Sequence, residues 1–190
     1  MRAVAKELEI APNALYSHVK SKDSLVDAVI DALLGDIEIP DQSIEWREAL
    51  FRLLWTSRMV LLQHADLMPL FLSRPTRGPS ALRLGEATLR FLSRGGIRDE
   101  AAVSALRILL VYTIGFAAQD APRRDEPTNS TRLAETTRTY KSAYDQPHLQ
   151  ALAAPLAKHP DDIAFGTGLK WLIDGISNAG VPTRSRGGKS

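Results

Sequence analysis

Apolar residues recur along this chain at the three- and four-residue spacing of amphipathic helices, and no stretch sustains the alternation of a β-strand, so the pattern predicts an all-α protein. Val4, Ala5 and Leu8 mark a first short helix, and Leu15 with Val19 marks a second that opens at Pro12, a residue favoured in a first helical turn. Only Glu9 to Ala11 separates the two. A third helix follows Ser21, whose hydroxyl suits an N-cap. Asp23 stands at the positive end of that helix dipole, and Leu25, Val26, Val29, Ile30, Leu33 and Leu34 form the apolar stripe until Gly35 stops it.

Residues 36–43, with Pro40, read as a connector into a larger helical unit. Trp46, Leu50, Leu53, Leu54, Ser57 and Leu61 share one face of a long helix, Leu67 to Leu72 predicts a short one, and Arg74 to Pro79 is a turn-rich break. Ala81 to Ser93 is a further helix, ended by Gly95 and Gly96. Asp99 to Gln119 is apolar nearly all round, with Leu106, Leu109, Leu110, Tyr112 and Phe116 pointing in several directions, which predicts burial on more than one side. Ala121 to Thr131 reads as a mobile surface loop, Leu133 to Tyr144 as a polar helix and His148 to Leu156 as a short one. The last helix starts at Asp161 and Asp162 and carries Gly168 and Gly175 on nearly one face, where another helix can approach closely. Val181 to Ser190, basic and rich in Gly and Ser, reads as a disordered tail.

Composition narrows the function. With 190 residues and 44% hydrophobic content the chain can bury a sizeable core, and without cysteine it has no disulfide, thiolate metal site or thiol nucleophile. The apolar stretch Ile108 to Ala118 falls short of the roughly 18 residues that span a bilayer, so no membrane association is expected and the cytoplasm fits best. A net charge of +2 is too small to mark a nucleic-acid binder by bulk charge. Its distribution says more: Arg2, Lys6, Lys20 and Lys22 stand before an acidic run of Asp23, Asp27, Asp31, Asp36, Glu38 and Asp41. No catalytic residues, metal ligands or cofactor are expected: there are no paired carboxylates in a catalytic pattern, no metal-spaced histidines and no Gly-rich phosphate loop, and Asp161-Asp162 is a helix start.

Helix, three-residue turn, helix and a third helix across them is the layout of a helix-turn-helix, whose second helix enters the major groove. With Leu15 and Val19 turned inward, Asn13, Tyr16 and Ser17 project outward, and Lys20 and Lys22 supply charge for phosphates.

Residues 1 to 25 closely resemble the DNA-binding signature of the TetR family of transcriptional regulators, with Leu15-Tyr16, His18-Val19-Lys20 and Lys22 matching especially well. The resemblance implies that Arg2, Pro12, Asn13, Ala14, Tyr16 and His18 face DNA and that Lys22 grips phosphate. Two departures stand out. Glu9 replaces the usual turn glycine, so a left-handed backbone there is expected to cost about 1 kcal/mol. Compared with the family, the first helix is missing from residues 1–36, which are expected to be a truncated, incomplete helix-turn-helix domain, either because the sequence begins at an internal methionine of a longer protein or because the chain is a variant with a weakened DNA head.

From Ile44 to Ile176 the chain resembles the C-terminal domain of the tetracycline-repressor type: Phe91-Leu92, Gly96, Ala101, Ala105-Leu106 and Tyr112-Thr113-Ile114-Gly115 match its central helix, and Phe165, Gly168-Leu169 and Gly175 its last. This implies a ligand-binding and dimerisation domain over residues 44–180, with the tail at 181–190 outside it. Leu106, Leu110, Gly168, Trp171, Leu172 and Gly175 are the expected dimer contacts, in a four-helix interface. Trp55, Met59, His64, Phe71, Leu89, Leu109 and Thr113 are candidates for lining a pocket, with His64 placed to orient a polar ligand. The expected function is therefore a dimeric repressor of a palindromic operator, released by a small-molecule effector. The alternative is a dimeric small-molecule-binding protein that has lost DNA binding.

Overall fold

The computed structural model describes residues 1–7, 9, 11, 13–14, 16, 19–74, 76–121, 129–142, 146–158 and 161–179. Among them all regular structure is helical: α1 (Arg2–Glu7), α2 (Lys22–Gly35), α3 (Trp46–Gln63), α4 (Met68–Leu72), α5 (Pro79–Arg94), α6 (Asp99–Asp120), α7 (Asn129–Lys141), α8 (Pro147–Lys158) and α9 (Asp161–Ala179). The all-α class read from the sequence is the class observed, and the residues expected to form a tail, 181–190, lie outside the described residues.

Local signals set most of the ends. Ser21 adopts an extended backbone and its Oγ accepts from the Ser24 amide at 3.0 Å, satisfying a donor that an open helix start would leave free. The Glu45 carboxylate does the same for α3, accepting from the amides of Arg47 at 2.8 Å and Glu48 at 3.2 Å. At the end of α5 the Gly95 amide donates to Leu92 O at 2.9 Å, Gly96 takes φ 81°, and Ile97 N closes back on Leu92 O at 3.0 Å. Gly95 also gives room: a Cβ there would stand 2.5 Å from Trp46 Cε2. Two boundaries differ from the pattern. Helix α5 starts at Pro79, because proline is pre-set for a first turn, and α7 starts at Asn129, inside the stretch expected to be loop, of which 122–128 lies outside the described residues.

One apolar core joins the elements. Ile30, Leu33, Leu34 and Ile37 from α2 and its exit pack with Leu50, Leu53 and Leu54 of α3, Phe91 and Leu92 of α5, Leu109 of α6 and Phe165, Leu169 and Ile173 of α9. The principal neighbours of α2 are α5 and α3, so the third helix of the N-terminal unit is built into the larger unit through a shared core. Helix α6 packs on α3, α5 and α9, and α7 pairs with α8. Among the described residues, α6 is the helix long and apolar enough to cross a bilayer by length and composition, yet its buried side, Leu109, Thr113 and Ala117, faces the bundle.

Candidate functional site

At the N-terminal end, Arg2 is exposed on α1, and Ala5 beside it is fully buried. The turn after α1 closes with the Glu9 amide on Lys6 O at 3.1 Å, and Glu9 takes φ 54°, the left-handed backbone that the missing glycine required. Asn13, Ala14 and Tyr16 are helical and exposed, and Asn13 and Tyr16, three residues apart, stand on adjoining positions of one helical surface. Half of the Tyr16 surface is open. Lys20 and Lys22 are exposed on either side of the Ser21 cap. Pro12, Ser17 and His18, with Leu8 and Leu15, lie outside the described residues.

Between this head and the rest of the chain is a dense polar contact. The Arg74 guanidinium donates to Asp27 Oδ1 at 2.7 Å, Asp23 Oδ1 at 2.8 Å and the Asp23 carbonyl at 3.1 Å. Those carboxylates, Asp27 first, hold the guanidinium above its ordinary pKa. One turn further along α2, Asp31 accepts from Ser80 N at 2.9 Å and Ser80 Oγ at 3.1 Å. In return Arg83 donates to the carbonyls of Ile37 at 3.0 Å, Gly35 at 3.1 Å and Leu34 at 3.3 Å. A cavity of about 530 Å³ lies beside these groups, lined by Asp23, Asp27, Ile30, Asp31, Leu34, Arg74, Thr76, Arg77 and Gly78.

The candidate pocket residues are spread over four helices. Trp55 and Met59 are half-buried on α3, Phe71 is buried on α4, Leu89 is half-buried on α5, and Leu109 and Thr113 are buried one turn apart on α6. The Thr113 hydroxyl donates to Leu109 O at 2.9 Å. His64 is exposed at the C-terminal end of α3.

Around Trp55 the structure assembles more than the sequence did. Trp55 stacks on Phe51 at 5.7 Å between centroids and meets Phe165 at 5.8 Å, while Phe165 stacks on Tyr112 at 5.3 Å and meets Phe116 at 5.5 Å edge-on. Arg58, almost wholly buried, lies over Phe165 at 4.9 Å. It donates to Asp120 Oδ2 at 2.7 Å and to Asp162 Oδ1 at 2.7 Å, joining α3, α6 and α9. Burial works against the Arg58 charge, but the two carboxylates prevail and hold its pKa above the ordinary value. Nothing in the sequence pattern points to this cluster: the sequence marks Asp162 as a helix start alone.

Of the expected dimer contacts, Leu110 and Trp171 are exposed, Trp171 by 73%, Leu106 and Leu172 are half-buried, and Gly175 faces open space. Gly168 meets its own chain: a Cβ there would collide with Tyr112 Oη and lie 3.0 Å from Tyr112 Cζ. Val103, Leu110 and Val111 on α6 continue one exposed apolar stripe at helical spacing.

Residues 39–179 match the family model described as the tetracyclin repressor-like C-terminal domain. An HTH-type transcriptional regulator of Saccharopolyspora erythraea is 29% identical over 182 residues, which is 93% of this chain and 75% of that protein. The class G tetracycline repressor protein of Vibrio anguillarum is 30% identical, over 92% of this chain and 82% of the repressor. Among solved structures, the TetR family protein ActR of Streptomyces coelicolor in complex with actinorhodin superposes with a TM-score of 0.84 at 28% identity, over 95% of this chain and 88% of that one.

Proposed function

Since the chain belongs to the TetR family of transcriptional regulators, we propose that it acts as a homodimeric repressor of a palindromic operator, in the cytoplasm, and that a small-molecule effector releases it. The observation that carries this reading is the pairing of two free surfaces on one fold. Asn13, Tyr16, Lys20 and Lys22 are exposed at one end, and an apolar stripe with Trp171 is exposed along α6 and α9. Two copies joined through that stripe present two heads, and half-sites one DNA turn apart lie about 34 to 36 Å from each other. Asn13 and Tyr16 offer hydrogen bonds to base edges or phosphates, with Arg2 on the same head, and Lys20 and Lys22 supply salt-dependent phosphate binding.

The effector we propose is a flat aromatic molecule. Five rings, Phe51, Trp55, Tyr112, Phe116 and Phe165, converge where α3, α6 and α9 meet, and they favour stacking partners. The similar ActR was solved in complex with actinorhodin. Met59, Phe71, Leu89, Leu109 and Thr113 would complete the lining, and His64 would stand at its rim. Such a ligand represses or releases only by binding one arrangement of the heads better than the other.

Selection of duplexes from a random library by the full-length protein, followed by gel-shift titration, tests the reading. A palindromic sequence bound by a dimer is expected, with Tyr16→Ala weakening it and leaving the dimer intact. Failure to enrich any sequence, or unchanged affinity in the variant, would overturn the DNA role.

A further inference from the structure

The facing ends of α2 and α5 each take side-chain partners from the other helix, in α2 beside the Asp36 and Ile37 amides that already close on Leu33 O and Leu34 O. Helix α5 has glycine at its N-cap position, Gly78, with no side chain to accept from the first turn, and Asp31 of α2 takes that place through Ser80 N and Oγ. Helix α2 has no basic residue in its last turn, and Arg83 of α5 takes the carbonyls of Leu34, Gly35 and Ile37. Each helix therefore caps the other. Gly78 makes the approach possible, because a Cβ there would stand 2.6 Å from Asp31 Cγ.

Arg74 extends the same line. Asp23, Asp27 and Asp31 follow at four-residue spacing, one stripe along α2, and every one of them is bonded to the segment from Arg74 to Ser80. The cavity of about 530 Å³ lies on the same side, so at this edge of α2 directional bonds rather than close packing fix its angle. A displacement of about 1 Å would break bonds that now lie between 2.7 and 3.3 Å.

We infer that Arg74, Asp31 and Arg83 are positioning residues for DNA reading, locking α2 to α5 so that the two helices turn as one body and α5 carries an effector's influence to the head. This rests on the repressor reading above. Leu84 and Leu89 of α5 pack against the core, while Ser80 and Arg83 hold α2, so the helix touches both the effector domain and the head.

The chain has no cysteine, so spin labels can be placed at will. Labels on Ala28→Cys of α2 and Ser93→Cys of α5, both exposed positions, in subunits diluted with unlabelled protein, report the α2–α5 distance by pulsed electron resonance. A single narrow distance is expected, broadening in Arg83→Met and in Arg74→Gln, with affinity for the selected operator falling roughly tenfold in each. The pair Arg74→Glu with Asp27→Arg should restore both the distance and the affinity, which loss of bulk stability would not explain. Distances that stay narrow in both single variants would overturn the lock. Broadened distances with unchanged operator affinity would overturn its coupling to DNA. If no operator is enriched at all, the repressor reading fails, and the distance distributions still decide whether the lock exists.

Discussion

The phenolic oxygen of Tyr112 fills the space that a side chain on Gly168 would need. Its hydroxyl donates to Phe165 O at 2.9 Å, so the ring is anchored to the backbone of α9 and α6 is drawn close to α9. Overfilled sites of this kind cost about 1 to 3 kcal/mol, and Gly168→Ala is expected to lower stability by that amount in urea titration. The same substitution in a Tyr112→Phe background should cost measurably less; an equal cost in both would rule out the steric account.

Burial holds the Tyr112 hydroxyl proton above the ordinary tyrosine value of 10.0, while the Arg58 charge and the Leu169 backbone pull the other way. The protonated form is the one favoured by the fold. Its stabilisation is complete below pH 10.0 and is lost as pH rises through the higher native value. Tyr112→Phe should therefore show a shallower fall of stability at alkaline pH than the parent chain.

Arg58 is the centre of a buried ion cluster, and removing one partner of such a cluster strands the others. Arg58→Met leaves Asp120 buried without its guanidinium, and a loss of about 3 to 5 kcal/mol is expected. Asp162→Ala should cost under about 1 kcal/mol, because that carboxylate is mostly exposed. Chemical denaturation of the two variants gives the comparison; similar losses would mean that burial does not rank the pairs.

Glu9 holds a left-handed backbone that glycine adopts freely. Glu9→Gly is expected to stabilise the head by up to about 1 kcal/mol, partly offset by the greater freedom of glycine in the unfolded chain. Slower amide exchange in α1 would register it, and faster exchange would contradict it.

Trp171 is the largest exposed apolar side chain on α9. A charge placed there, Trp171→Glu, should convert the proposed dimer to monomer in sedimentation experiments, since stable interfaces bury about 1,200 to 2,000 Å² around such anchors. A dimer that survives the substitution would move the interface elsewhere.

What the sequence disclosed was local. Ser21, Gly95 and Gly96 set helix ends through their own backbone or side chain, so the chain shows them without the fold. The exposed Tyr16 was legible for the same reason, by its offset from Leu15 and Val19. What stayed hidden was pairing over distance. Asp23, Asp27 and Asp31 were an acidic run and Arg74 part of a break, and nothing in either segment says that they meet. The bonds from Arg58 to Asp120 and Asp162 span 62 and 104 residues. Such partners are chosen by packing geometry, which periodicity does not carry.

The bonds that join α2 and α5 bear on how this chain can be rebuilt. A chimera that grafts a foreign DNA head onto this effector domain and is cut in the connector at 36–43 would import a helix lacking Asp23, Asp27 and Asp31, leaving Arg74, Ser80 and Arg83 without their acceptors. The workable exchange unit is discontinuous: the head through Ile37 together with residues 74–83, transplanted as a matched pair.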